Sequence, residues 1–167
     1  MFSTSTHPRS HCLRNAFVFC SLAAGALFCT AHAKDAASKT FDGSWEYRSD
    51  CQFGHYVQLD LKQKDAVVTG DWSDGTRVEG WDGSLEGRIS GSRLYARYCS
   101  TEANGGHAVC PSYDPDGSDY FARQNRDLIW FRSIGKGAEK SFEKYVVLHP
   151  FIKGKRRPAD TKCPSDN

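Results

Sequence analysis

The chain has 167 residues, 39% of them hydrophobic, with 22 Lys plus Arg set against 20 Asp plus Glu and seven Cys. That length is the size of one compact domain. A formal charge of +2 lacks the basic surplus that a nucleic-acid surface needs, so no nucleic-acid partner is expected.

In chain order, residues 1–33 read as a cleavable signal peptide. Arg9 and Arg14 make the N-terminus positive, and the apolar run from Ala16 to Cys29 follows at once. Such a run has the length of a signal h-region and is short for a bilayer core of about 30 Å. Ala31 and Ala33 flank His32 in the small-x-small pattern of a cleavage site, so cleavage is expected near Ala33 and a periplasmic or secreted location follows. No transmembrane segment is expected in the mature chain. Removing the signal leaves 134 residues with 20 bases and 20 acids, and four of the seven cysteines: Cys51, Cys99, Cys110 and Cys163. In an oxidising compartment four cysteines predict two disulfides, for which three connectivities exist. The preferred pairing joins Cys99 to Cys110 across a polar loop and Cys51 to Cys163.

Residues 34–41 are read as a flexible lead-in, residues 42–152 as the folded domain and residues 153–167 as a solvated basic polar tail, with contact of Lys153 to Arg157 with anionic envelope surface as the alternative. Within the domain, apolar residues recur with period two and turn residues every eight to twelve positions, which predicts an all-β, antiparallel meander of eight or nine strands closing into a small barrel. Val57, Leu59 and Leu61 alternate with Gln58, Asp60 and Lys62. Turns are predicted at Lys64-Asp65, Ser73-Asp74-Gly75, Asp82-Gly83, Gly91-Ser92 and Asn125-Arg126, with a short strand through Val78. A loose segment spans Ser100 to Ser118, after which strands resume at Tyr120, Leu128 and Phe142. Gly70, Gly80 and Gly87 lie inside strand patterns and predict bulges or sharp coiling. Trp72, Tyr98 and Trp130 are expected to point inward and to fill the interior. Tyr145, Val147 and His149 are expected on one strand face, with His149 at a barrel end.

Two resemblances bear on this pattern. Gly43-Ser44-Trp45 resembles the G-x-W motif that opens the first strand of lipocalin-like up-and-down barrels. That resemblance implies a Trp closing one barrel end against an Arg from a late strand, with Arg132 as the counterpart of Trp45, and a possible small apolar ligand. Ser90-Gly91-Ser92-Arg93-Leu94-Tyr95 is similar to the Ser-Gly-x-x-Tyr loop of some bacterial periplasmic lysozyme inhibitors. Here Tyr95 comes one position late, which in a strand turns it to the opposite face.

The residues offer no catalytic, cofactor-binding or metal-binding set. Asp42 and Glu46, four apart in a strand, lie about 13 Å from each other, wider than the roughly 5–9.5 Å of a glycosidase pair. Asp114-Pro115-Asp116-Gly117-Ser118-Asp119 departs from calcium-loop spacing and reads as a Pro-Asp-Gly turn. No Ser or Cys has an identifiable base. Arg88, Arg93, Arg97 and Arg123 are expected to face outward beside Tyr95 and Phe121, a mixture enriched at protein interfaces. The expectation is therefore a non-enzymatic binding protein that takes a protein partner in the cell envelope, as an inhibitor or immunity-like protein. Tyr95, Arg97, His107 and Tyr113 are the candidate contact residues, on the Ser100–Ser118 loop and the neighbouring face. A lipocalin-like carrier and an envelope hydrolase stand as alternatives.

Overall fold

A computed structural model describes residues 40–161 except 52, 104, 105, 116–118, 136 and 156. The signal segment and Cys163 lie outside the described residues.

Eight antiparallel strands form one closed barrel in sequence order. They are β1 (Gly43–Ser49), β2 (His55–Lys64), β3 (Val67–Thr76), β4 (Gly80–Ser90), β5 (Arg93–Ser100), β6 (Asp119–Gln124), β7 (Asp127–Ile134) and β8 (Ser141–Pro150), with one 3-10 turn at Gly137–Glu139. Because each strand reverses the last, the short turns after β2, β4 and β6 lie at one end. The loops after β1, β3, β5 and β7 lie at the other, here called the open end. Period-two alternation carries the core: Val57, Leu59, Leu61, Val68, Trp72, Leu85, Leu94, Tyr98, Phe121, Leu128, Trp130, Val146 and Leu148 are all buried. Large side chains thus fill the barrel, as the inward placement of Trp72, Tyr98 and Trp130 predicts. Among the described residues no helix is long and apolar enough to cross a membrane.

The predicted turns at Lys64-Asp65, Gly91-Ser92 and Asn125-Arg126 are present at the closed end. Asp65, Gly91 and Asn125 adopt the positive φ such hairpins require, at 56°, 60° and 56°. Two other predicted turns are not turns. Ser73-Asp74-Gly75 continues β3 and Asp82-Gly83 lies inside β4, so the strand through Val78 is absent and eight strands result. The reason is close backbone approach. A Cβ on Gly83 would lie 1.9 Å from the Cys99 carbonyl oxygen, so glycine here admits a neighbouring strand and turns nothing. The actual turn is Arg77–Glu79, where the Thr76 hydroxyl accepts from the amides of Val78 and Glu79 at 3.3 and 3.2 Å.

Nor do Gly70, Gly80 and Gly87 mark bulges, since register is continuous through all three. The irregularity lies where β7 meets β8: Trp130 pairs with Val146 and Phe131 with Lys144, leaving Tyr145 as the extra residue. The bulge separates Tyr145 from the face of Val147 and His149 and turns it inward, the re-aiming that bulges allow.

At the closed end Trp45 is buried, and its indole N–H donates to the Phe41 carbonyl at 3.1 Å. The guanidinium over its ring belongs to Arg123, 4.4 Å away, and not to Arg132. Arg123 and Phe121 face inward and not outward, because β6 starts at Asp119 and its odd-numbered residues point into the barrel. Phe121 is fully buried opposite Leu94. Phe41, at the end of the predicted lead-in, belongs to the core. Phe151 donates to the Ser44 carbonyl at 2.9 Å, and within the predicted solvated tail Asp160 donates to the Arg48 carbonyl at 2.8 Å, so the chain returns along β1.

Candidate functional site

The open end collects polar and aromatic side chains from most of the strands. Asp74 is buried at 6% exposure near the end of β3. Each of its neighbours there is a donor: His55 Nε2 at 2.8 Å, the Tyr145 hydroxyl at 3.1 and 2.9 Å from the two carboxylate oxygens, and Arg132 Nη2 in a direct ion pair. Tyr145 Oη is also 3.0 Å from His55 Nε2. The Arg132 guanidinium lies 3.5 Å from the Tyr145 ring centroid and 5.2 Å from that of Trp130. Strands β2, β3, β7 and β8 are thus tied together across the lumen.

Beside this cluster sits Asp119, whose two oxygens accept the Trp130 indole N–H at 2.8 Å and the Ser133 amide at 2.9 Å. Trp72 donates to the Cys99 carbonyl at 3.1 Å, so both indoles are fixed in orientation. A cavity of about 280 Å³ opens among Trp72, Trp81, Tyr98, Asp119, Trp130 and Arg132. A second space of about 470 Å³ on the His55 and Tyr145 side shares Asp74, Trp81 and Arg132 with it.

The segment after β5 folds over this mouth. The Cys99–Cys110 disulfide closes it, as expected, and Ser100 exchanges backbone bonds with Ala108 and Cys110 at 2.8 and 3.0 Å. His107 then packs edge-on to Trp72 at 5.0 Å and lies 5.4 Å from Tyr98, its Nδ1 held at 2.6 Å by Asp114. Cys51 is also disulfide-bonded, while its expected partner Cys163 lies outside the described residues.

The four candidate contact residues separate. His107 faces the mouth. Arg97 and Tyr113 meet on the outer wall, 5.5 Å from guanidinium to ring, where Arg97 also pairs with Glu86. Tyr95 stands two residues along the same outer face of β5, 5.8 Å from Tyr120, which Arg93 covers at 4.5 Å. Asp74, Arg132, His55, Tyr145 and Asp119 were not among the sequence candidates. A signal for two of them exists: Asp74 continues the inward series Val68, Gly70, Trp72, and Arg132 continues Leu128, Trp130. A charge at an inward position of a barrel strand marks either a pair or a site.

Burial pushes the Tyr145 phenol well above its ordinary range, and the Asp74 charge adds to that while Arg132 opposes it. Burial does the same to Tyr98, with Asp119 second. Tyr98 is 4% exposed, and its hydroxyl has no hydrogen-bond partner among the described residues. Both phenols are therefore held neutral by the fold, which contributes stability below the ordinary tyrosine range near pH ~10 that is lost progressively as pH rises above it. In an alkaline titration followed by phenolate absorbance, two of the seven tyrosines should ionise only as the protein unfolds. Tyr98→Phe should leave stability unchanged or raise it by up to about 1 kcal/mol, since it removes an unsatisfied hydroxyl. A clear loss on urea denaturation would show that the hydroxyl is bonded after all.

Comparison with protein-family models, with curated proteins and with solved structures finds no match to this chain. The architecture, an eight-stranded antiparallel barrel, agrees with the lipocalin-like resemblance at that level alone.

Proposed function

We propose that this is an exported, non-enzymatic binding protein that takes a protein partner at the open end of its barrel. The observation that carries this reading is that the two most exposed large apolar side chains among the described residues stand on open-end loops. Phe53 and Val78, 73% and 77% exposed, stand on the loops after β1 and β3, which meet through the Arg77 amide and the Phe53 carbonyl at 3.2 Å. Val109, on the disulfide-closed segment, and Ile134, at the end of β7, are about half exposed at the same end, and Trp81 is partly exposed at the mouth. An apolar rim on loops held by a rigid scaffold is the usual anatomy of a recognition surface. The Cys99–Cys110 bridge supports an oxidising, extracytoplasmic location. The filled interior weighs against a deep apolar carrier.

The test is a binding comparison. Immobilised protein is exposed to envelope extract and to lysozyme, and a saturable, stoichiometric complex is expected. Phe53→Ser with Val78→Ser should weaken that complex by about tenfold or more, the loss expected for hot-spot truncation, whereas Tyr95→Ser on the outer wall should not. Equal binding by the rim variant and the native protein would rule out the open end.

A further inference from the structure

The geometry points to a more specific occupant: a cationic side chain of the partner, arginine or lysine, inserted into the aromatic mouth with its charge against Asp119. This inference rests on the open-end binding reading and names what that end recognises.

Two observations converge on it. The first is the cavity of about 280 Å³ itself, lined by Trp72, Trp81, Tyr98 and Trp130. Indole faces are electron-rich and attract cations, more strongly where water is excluded. Arg132 already covers Trp130 and Tyr145, whereas Trp81 makes no ring or cation contact among the described residues. Trp81 therefore has no cation or ring partner already in place at the cavity.

The second is charge. Of the ionisable side chains lining that cavity, Asp74 is paired with Arg132 and His107 with Asp114, while Asp119 receives only the neutral N–H groups of Trp130 and Ser133, with the Tyr98 phenol beside it. No cation pairs with Asp119 among the described residues. The four open-end loops extend the same sign outward. Their described residues include Asp50, Glu79, Glu102, Asp114 and Glu139 against Arg77 and Lys140. An anionic ligand would be repelled on approach, and a purely apolar one would strand Asp119 without solvent.

Carboxylate and aromatic lining both suit a hydrogen-bonding cation.

Small probes test this without the partner. Nα-acetyl-arginine methylamide and Nα-acetyl-lysine methylamide are titrated into the full mature protein while tryptophan side-chain N–H resonances are followed by NMR. Saturable shifts centred on Trp81 and Trp130 are expected, with the neutral citrulline analogue weaker by about tenfold or more and the glutamate analogue inactive. Asp119→Asn should reduce arginine affinity by a similar factor. Because that change also touches the Trp130 indole, Trp81→Leu at the partly exposed rim serves as the second variant and should lower affinity too. Citrulline binding as well as arginine, or glutamate binding better, would overturn the inference while leaving the rim comparison to decide the binding reading.

Discussion

Asp74→Ala is expected to cost about 3 kcal/mol of folding stability, and Asp74→Asn nearly as much. Removing one partner of a buried ion pair generally costs about 3–5 kcal/mol. The Arg132 side chain is 45% exposed and can rehydrate, which favours the lower end. The asparagine result separates charge from shape. His55, Tyr145 and Arg132 all direct donors at this carboxylate, so an amide N–H₂ in its place meets donors where it needs an acceptor. On thermal unfolding the midpoint should fall by about 10 °C. A double-mutant cycle with Arg132→Ala should show about 1–3 kcal/mol of coupling. Additive losses would mean that the two groups stabilise the fold separately and that the cross-lumen tie carries little.

Trp45→Ala should be the most damaging single change at the closed end, at about 3–5 kcal/mol. Trp45 combines a 3% exposed ring, a donor bond to Phe41 and the stacked Arg123. Truncation opens a void at the closed end and uncovers Arg123, whose Nε is already buried without a partner among the described residues and whose pKa is lowered chiefly by burial. Trp45→Phe keeps the ring contact and loses only the indole bond, so a smaller loss of about 1–2 kcal/mol is expected. Urea denaturation ranks the three proteins. A Trp45→Ala loss no larger than that of Trp45→Phe would show that this end collapses without cost.

Much of the barrel was legible because alternation is a local property. Val57, Leu59 and Leu61 announce their strand within five residues, and short closed-end hairpins carry their own turn residues. Glycine was the ambiguous letter. Asp74-Gly75 and Asp82-Gly83 have the composition of turns, yet these glycines serve strands that approach closely, and only the register distinguishes the two uses. The open end was legible in pieces. His107 and the Cys99–Cys110 loop could be marked as candidates from the sequence, but residues 55, 74, 132 and 145 meet only after the barrel closes. Tyr145 reaches them through a bulge that no local pattern announces. The partner of Trp45 was misassigned for a related reason: Arg123 and Arg132 are both on late strands, and which of them reaches the closed end depends on strand direction.

Pairing strictly in sequence order has a kinetic side. Seven of the eight seams join neighbours in the chain, six across connections of two to six residues and the β5–β6 seam across residues 101–118. The β1–β8 seam alone must bring together residues about a hundred positions apart, and it offers only Trp45–Pro150 and Glu46–His149 as paired residues. Loop-closure entropy is lost before so short a seam repays it. Hairpins are therefore expected to assemble before the β1–β8 seam closes, with the returning segment at Phe151 and Asp160 adding its bonds to β1 at that closure.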